Sequence, residues 1–184
     1  YAYELLMAPF VIAHLKIGLK LYETGYEFKD IQRIGIFLTN ALEPKLDFSN
    51  VFDFAAEILS KELNEVNQIK ESHRFTVVVG NPPYSNFGQL NRSPHILNLL
   101  KDYKKDLTER KINLDDDFIK FMRFAQSVIE TTGSGVVGMI TNNVFLDGIT
   151  HRSMRKNLLD NFSEIKIIDL HGNVSAQEVA SDGS

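Results

Sequence analysis

Phe75-Thr-Val-Val-Val-Gly-Asn-Pro-Pro-Tyr84 sets a run of β-branched residues directly against a proline corner. Residues 75–79 lack polar alternation, the pattern of a strand covered on both faces in a parallel sheet. Two consecutive prolines fix φ at Pro82 and Pro83 and remove two backbone donors. The turn is therefore stiff, and it offers carbonyl acceptors without competing N–H groups. Asn81 adds a side-chain oxygen beside them. Asn81 Oδ1 and the Pro82 carbonyl can together accept both hydrogens of a planar exocyclic amine. The Tyr84 ring offers a face on which the attached heterocycle stacks, a role that needs the ring and not the hydroxyl.

Outward from this strand, helical and extended patterns alternate. Residues 9–24 carry Val11, Leu15, Leu19 and Tyr22 at helical spacing, flanked by Phe10, Ile17 and Leu21, with Pro9 in the first turn and Gly25 as the stop. One face of that helix is expected on a sheet. Residues 33–39 read as a strand, and Ser49 or Asn50 caps a helix bearing Phe52, Ala55, Ala56, Leu59 and Leu63. After an irregular stretch to Asn113, Asp115, Asp116 and Asp117 favour a helix start ahead of Phe118, Phe121, Met122, Ala125, Val128 and Ile129, and Thr132 and Gly133 end it. Residues 135–141 and 164–170 read as further strands with a helix at 150–161 between them. The order α-β-α-β-α-β-α-β predicts an α/β fold with a mostly parallel sheet. Ligands then sit outside the carboxyl ends of the strands, after Thr39, Val79 and Thr141. Residues 1–172 form one domain, and 173–184 form a polar tail.

The 184 residues are 43% hydrophobic and 24% charged, enough apolar material for a core, which excludes disordered and fibrous classes. A net charge of −4 argues against a nucleic-acid clamp spread over the whole chain. Contact with a polyanion must come from a local patch, such as Lys101, Lys104, Lys105, Arg110 and Lys111, or from sequence outside this chain. The lack of cysteine excludes disulfides, thiolate zinc sites and a Cys nucleophile. The five histidines have no metal-ligand spacing, so no metal is expected. His14 reads as structural, and the aspartate triplet as a helix start rather than a magnesium site. His14, Lys16, Gly18 and Lys20 interrupt the apolar stretch 10–22, which therefore cannot span a bilayer; the chain reads as cytoplasmic.

Gly80-Asn-Pro-Pro-Tyr84 resembles the signature of amino-methylating, S-adenosylmethionine-dependent methyltransferases, Asn/Asp/Ser-Pro-Pro-Tyr, and in particular the DNA adenine N6 enzymes. The likeness extends through Glu4-Leu-Leu-Met-Ala-Pro9, Ile34-Gly-Ile-Phe-Leu-Thr-Asn40, Asp116-Asp-Phe-Ile-Lys-Phe-Met-Arg-Phe-Ala125 and Ile140-Thr-Asn-Asn143. These segments are similar to the methyltransferase part of large single-polypeptide restriction-modification enzymes, of the type I-like and type IIG groups. The resemblance implies a Rossmann-like class I methyltransferase sheet. It also implies that S-adenosylmethionine is the methyl donor and that the substrate is an adenine flipped out of double-stranded DNA. Glu4 takes the position of the acidic residue that binds the donor's ribose, and Asn40 that of the residue contacting the donor's adenine. Asn81, Pro82, Pro83 and Tyr84 take the catalytic positions. Cytosine N4, an RNA base or a glutamine side chain are alternative substrates for the same motif, and an inactive scaffold is a non-enzymatic alternative.

In the resembled family a first strand and a glycine-rich donor loop precede the position of Glu4, and that strand lies at the middle of the sheet. Beginning at Tyr1, this chain reads as a fragment without them. It is expected to bind donor weakly and to be inactive alone, with residues 1–45 less firmly tied to the rest. Calorimetric titration of the chain with S-adenosylmethionine checks this: little or no heat of binding is the expected outcome, and tight binding would overturn it.

Overall fold

The computed structural model describes residues 1–28, 33–44, 54–84, 91–109 and 114–170, with side chains omitted over 54–62. Its elements in chain order are β1 (Ala2–Glu4), α1 (Met7–Glu23), β2 (Ile36–Leu38), α2 (Phe54–Ser72), β3 (Val77–Gly80), α3 (Pro94–Leu99), α4 (Lys101–Lys104), α5 (Asp117–Thr132), β4 (Val136–Met139) and α6 (Arg152–Asn161). Alternation of helix and strand holds as expected. The sheet is less continuous than expected. Among the described residues it consists of two parallel pairs: β1 with β2, where Glu4 lies opposite Leu38, and β3 with β4, where Gly80 lies opposite Met139.

The two pairs run in the same sense. Tyr1, at the start of β1, packs its ring edge-on against Phe75 at the start of β3 and lies 3.0 Å from His73 Nε2 through its hydroxyl. Beyond the other end of β2, Asn40 Nδ2 donates to Asn91 Oδ1 at 2.8 Å, in the segment that follows the proline corner. Beginnings therefore meet beginnings, and ends meet ends.

Local chemistry explains each boundary. Gly133 adopts φ +92 after α5, and its N–H donates to the Ile129 carbonyl, the left-handed stop that glycine makes cheaply. Gly135 follows because the return to β4 is tight: a Cβ there would lie 2.4 Å from the Thr76 carbonyl oxygen and 2.7 Å from Ile129 Cδ1. Helices α3 and α4 fall in the stretch read as irregular. Ser93 caps α3 with Pro94 in its first turn, a start signal whose helix is only six residues long and so leaves little periodicity to see.

The larger core joins α4, α5 and α6 through Leu100, Tyr103, Leu114, Phe118, Ile119, Met154 and Leu158. A smaller one places Phe37 of β2 on Val66 and Ile69 of α2. Three expectations about packing are corrected. Phe10, Ala13, His14, Gly18 and Leu21 are the half-buried positions of α1, and Val11, Leu15, Leu19 and Tyr22 face outward, because the neighbouring stripe meets β2. The valine-rich strand is not covered on both faces: Val77, Val79 and Val136 share an exposed face, with Val79 77% accessible. Residues 164–170 form no strand among the described residues, and Ile165, Ile167, Ile168 and Leu170 are exposed. The expected cap at Ser49 or Asn50, Phe52, the side chains of Ala55, Ala56 and Leu59, Arg110, Lys111 and the tail 173–184 lie outside the described residues.

The aspartate triplet does start α5, by a different division of labour from helix capping alone. Asp116 occupies the N-cap position without a side-chain capping bond. Asp115 pairs with Lys104 at 2.6 Å, and Asp117 pairs with Lys120 at 3.0 Å with both side chains fully buried. Breaking a buried pair strands a charge in low dielectric, whereas a half-exposed pair contributes little. Lys120→Met should therefore cost about 3–5 kcal/mol in urea denaturation and Lys104→Met less than about 1 kcal/mol, as expected for buried and surface pairs respectively.

Candidate active site

The β3–β4 ladder does not stop at the strand ends. Ile140 N donates to the Gly80 carbonyl at 3.0 Å, which holds the last residue of β3 against the exit of β4 and fixes where Asn81 begins. Pro82 is buried, while Asn81, Pro83 and Tyr84 are exposed. Tyr84 folds back over the corner. Its hydroxyl lies 2.8 Å from Asn81 Oδ1 and 3.0 Å from the Ile140 carbonyl oxygen. Its ring remains 46% accessible, so a planar ligand has a face to rest on. Asn81 is exposed, with its Oδ1 facing the Tyr84 hydroxyl.

The hydroxyl is engaged, which corrects the expectation that only the ring matters. Asn142, just beyond β4, accepts from Val144 N at 2.8 Å through its Oδ1 and shapes the adjacent turn.

Glu4 stands at the carboxyl end of β1. Its Oε1 accepts from the backbone N–H groups of Leu5 and Leu6 at 2.8 and 2.9 Å, closing the sharp turn into α1. Its backbone carbonyl accepts from Thr39 N at 2.8 Å, joining the turn to the end of β2. One carboxylate oxygen is thus fixed by the backbone. Asn40 lies one strand away and is already committed. Its Oδ1 accepts from Leu42 N at 3.0 Å, and its Nδ2 donates to Asn91 Oδ1 and, at 3.3 Å, to Glu43 Oε1. Asn91 has φ +55, a left-handed backbone that asparagine tolerates better than most residues. Both Nδ2 hydrogens are thus engaged, while Oδ1 accepts one bond and has a second lone pair.

Lys70, which the sequence did not mark, holds this turn together. From the last turn of α2 its Nζ donates to the Asn40 carbonyl at 2.8 Å, the Glu43 carbonyl at 2.9 Å and Thr39 Oγ1 at 3.2 Å. It also sits 5.4 Å from the centre of the Tyr3 ring. Burial lowers its pKa to about 8, against an opposing pull from Glu43. No local pattern distinguishes Lys70 from Lys61, the other lysine of α2, because its partners are three residues brought near by folding.

Ion pairs involve part of the segment after the corner. Lys104 pairs with Asp115, and Glu109 pairs with Arg152. A depression of about 420 Å³ lined by Leu21, Tyr26, Phe28, Arg33 and Ile34 lies before β2, at the opposite end of that strand from Asn40, and gathers none of the residues named above. Among the described residues no group of acidic and histidine side chains is arranged to hold a metal ion, and no helix is long and apolar enough to cross a membrane.

Residues 11–175 match the family model described as Eco57I restriction-modification methylase. The match takes in Asn40 and the proline corner and begins after Glu4. A solved structure described as a cryoEM structure of a DrdV–DNA complex is similar, with a TM-score of 0.74 and 25% identity over 94% of this chain and 17% of that one. The chain thus spans about one-sixth of that protein's length. Among curated proteins none matches.

Lys70→Met removes the donor to three acceptors and should destabilise the protein by about 1.5–3 kcal/mol near neutral pH, the range for hydrogen bonds to a charged group. Because burial lowers the folded-state pKa, the unfolded chain holds the proton longer, and wild-type stability rises between about pH 8 and the ordinary lysine value of 10.5. The variant lacks this titration. Its deficit should widen across that window in denaturant melts at successive pH values, and a deficit that narrows there contradicts the assignment.

Proposed function

The chain belongs to the Eco57I restriction-modification methylase family, and from that premise we propose that it carries the catalytic loop of a DNA methyltransferase acting on the exocyclic N6 of adenine. The observation that carries this reading is the exposed Asn81 at the carboxyl end of β3, next to the Pro82–Pro83 corner and hydrogen-bonded to a half-accessible tyrosine. S-adenosylmethionine, the donor we assign, supplies an electrophilic methyl group on a sulfonium.

An adenine amine is a poor nucleophile because its lone pair is delocalised into the ring. Asn81 Oδ1 and the Pro82 carbonyl oxygen accept its two hydrogens, hold the nitrogen so that its lone pair points away from both, and stabilise positive charge as it develops there. Pro83 keeps the corner from relaxing. No strong general base is needed, since the amine loses its proton after its charge has developed.

Reaching the amine in a duplex requires the base to leave the stack, at a cost of a few kcal/mol. Stacking on Tyr84, worth on the order of 1–3 kcal/mol, offsets part of it. Glu4, with one oxygen fixed by the Leu5 and Leu6 amides, accepts from the donor's ribose hydroxyls. Asn40 meets the donor's adenine through the second lone pair of its Oδ1. DNA as substrate is supported by the family match and by the DNA complex among similar structures. Most DNA contacts are assigned to other parts of the polypeptide, since this chain carries a net charge of −4.

In the intact enzyme, Asn81→Ala should lower the rate of methyl transfer by at least about 100-fold, the scale for losing one preorganised polar contact. Tyr84→Ala should act mainly on base capture, raising the apparent KM for DNA. Mass spectrometry of nucleosides from treated DNA is the readout. N6-methyladenine lost with Asn81→Ala supports the assignment, whereas N4-methylcytosine or undiminished N6-methyladenine would sink it.

A further inference from the structure

The Tyr84 hydroxyl has one proton, yet it faces two acceptors, Asn81 Oδ1 at 2.8 Å and the Ile140 carbonyl oxygen at 3.0 Å. A single proton can satisfy only one of them fully, leaving the other as an oxygen–oxygen contact with no hydrogen between. The Ile140 carbonyl cannot change its nature. The Asn81 carboxamide can, because a half-turn about its terminal torsion exchanges an acceptor for a donor of nearly the same shape, and that torsion is broad and roughly two-fold.

We propose that the Tyr84 hydroxyl is a positioning group that selects the orientation of the Asn81 carboxamide, turning Oδ1 toward the substrate amine. In the working arrangement Asn81 Nδ2 donates to Tyr84 Oη, and Tyr84 Oη donates to the Ile140 carbonyl. Every proton then has an acceptor. The hydrogen-bonded chain runs from backbone to hydroxyl to amide, and it is anchored where β4 is already tied to β3 by the Ile140 N to Gly80 O bond. With Nδ2 engaged by the phenol, Oδ1 occupies the other end of an exposed side chain and is available to accept from an NH₂ group. The opposite orientation presents a donor to that amine and repels it. The arrangement in which the hydroxyl donates to Oδ1 is the idle one: it consumes the acceptor that the reaction needs.

This inference rests on the assignment of Asn81 as the amine acceptor and adds a second role to Tyr84, with the ring serving to stack and the hydroxyl to orient. Tyr84→Phe keeps the ring and deletes only the orienting contact, so the two roles separate. In the intact enzyme, Tyr84→Phe should lower kcat for DNA methylation about 10-fold while leaving KM for DNA within about 2-fold, a factor of ten corresponding to about 1.4 kcal/mol. A side chain acting through stacking alone shows no loss of kcat, and one needed only to hold the loop raises KM as well. Either result overturns the proposal.

Asn81→Asp supplies the second arm. A carboxylate looks the same after a half-turn, so it has no orientation to select. Tyr84→Phe introduced into the Asn81→Asp enzyme should therefore cost less than 3-fold in kcat, against 10-fold in the parent. An undiminished penalty in that background counts against amide orientation. Failure here leaves the assignment of Asn81 standing, because that assignment is tested separately by Asn81→Ala and the identity of the methylated nucleoside.

Discussion

The register between β3 and β4 is the constraint from which the site follows. Val77 pairs with Val136 and Gly80 with Met139, and the ladder runs on through the bond from Ile140 N to the Gly80 carbonyl. A shift of one residue would move Asn81 away from Ile140 and turn every strand side chain over. Register is in turn enforced by the tight return from α5, where Gly133 supplies the left-handed backbone and Gly135 lets β4 approach the Thr76 carbonyl. Two glycines some fifty residues from the corner in sequence thereby decide which carbonyl the Tyr84 hydroxyl meets.

A second constraint acts at the ends of β1 and β2. Glu4 fastens its own turn through two backbone amides, and Lys70 gathers three acceptors of the neighbouring turn. The polar groups expected around the methyl donor are thus set before any ligand arrives. The glutamate is pre-oriented. The asparagine is held in a network with Asn91 and Glu43 that engages both hydrogens of its amide.

Much of this was legible in the sequence, for physical reasons. The β-branched run at 75–79 and the glycine, asparagine and prolines after it are local signals, and the strand appears where it was expected, with an exposed Asn81 directly after it. The amphipathic pattern of α5 was readable because its sixteen residues span several turns. The face of α1 was misread, since apolar residues occupy most of its circumference and the choice between two adjacent stripes belongs to tertiary packing. Strand character at 164–170 was inferred from Ile165, Ile167 and Ile168, but a strand exists only by virtue of a partner. Lys70, Asn91 and the Ile140 carbonyl left no trace in the sequence because their roles are defined across separations of about 27 to 56 residues. Backbone carbonyls have no letter of their own.

The outward valines of β3 and β4 bear on how the protein behaves in a tube. Val77, Val79 and Val136 form a greasy flank on the folded molecule, joined in character by the outward stripe of α1. Such surfaces adhere to one another, and salts of the sulfate type strengthen that adhesion by raising the cost of wetting them. Ammonium sulfate fractionation should consequently bring this chain down early, in a native state that redissolves on dilution.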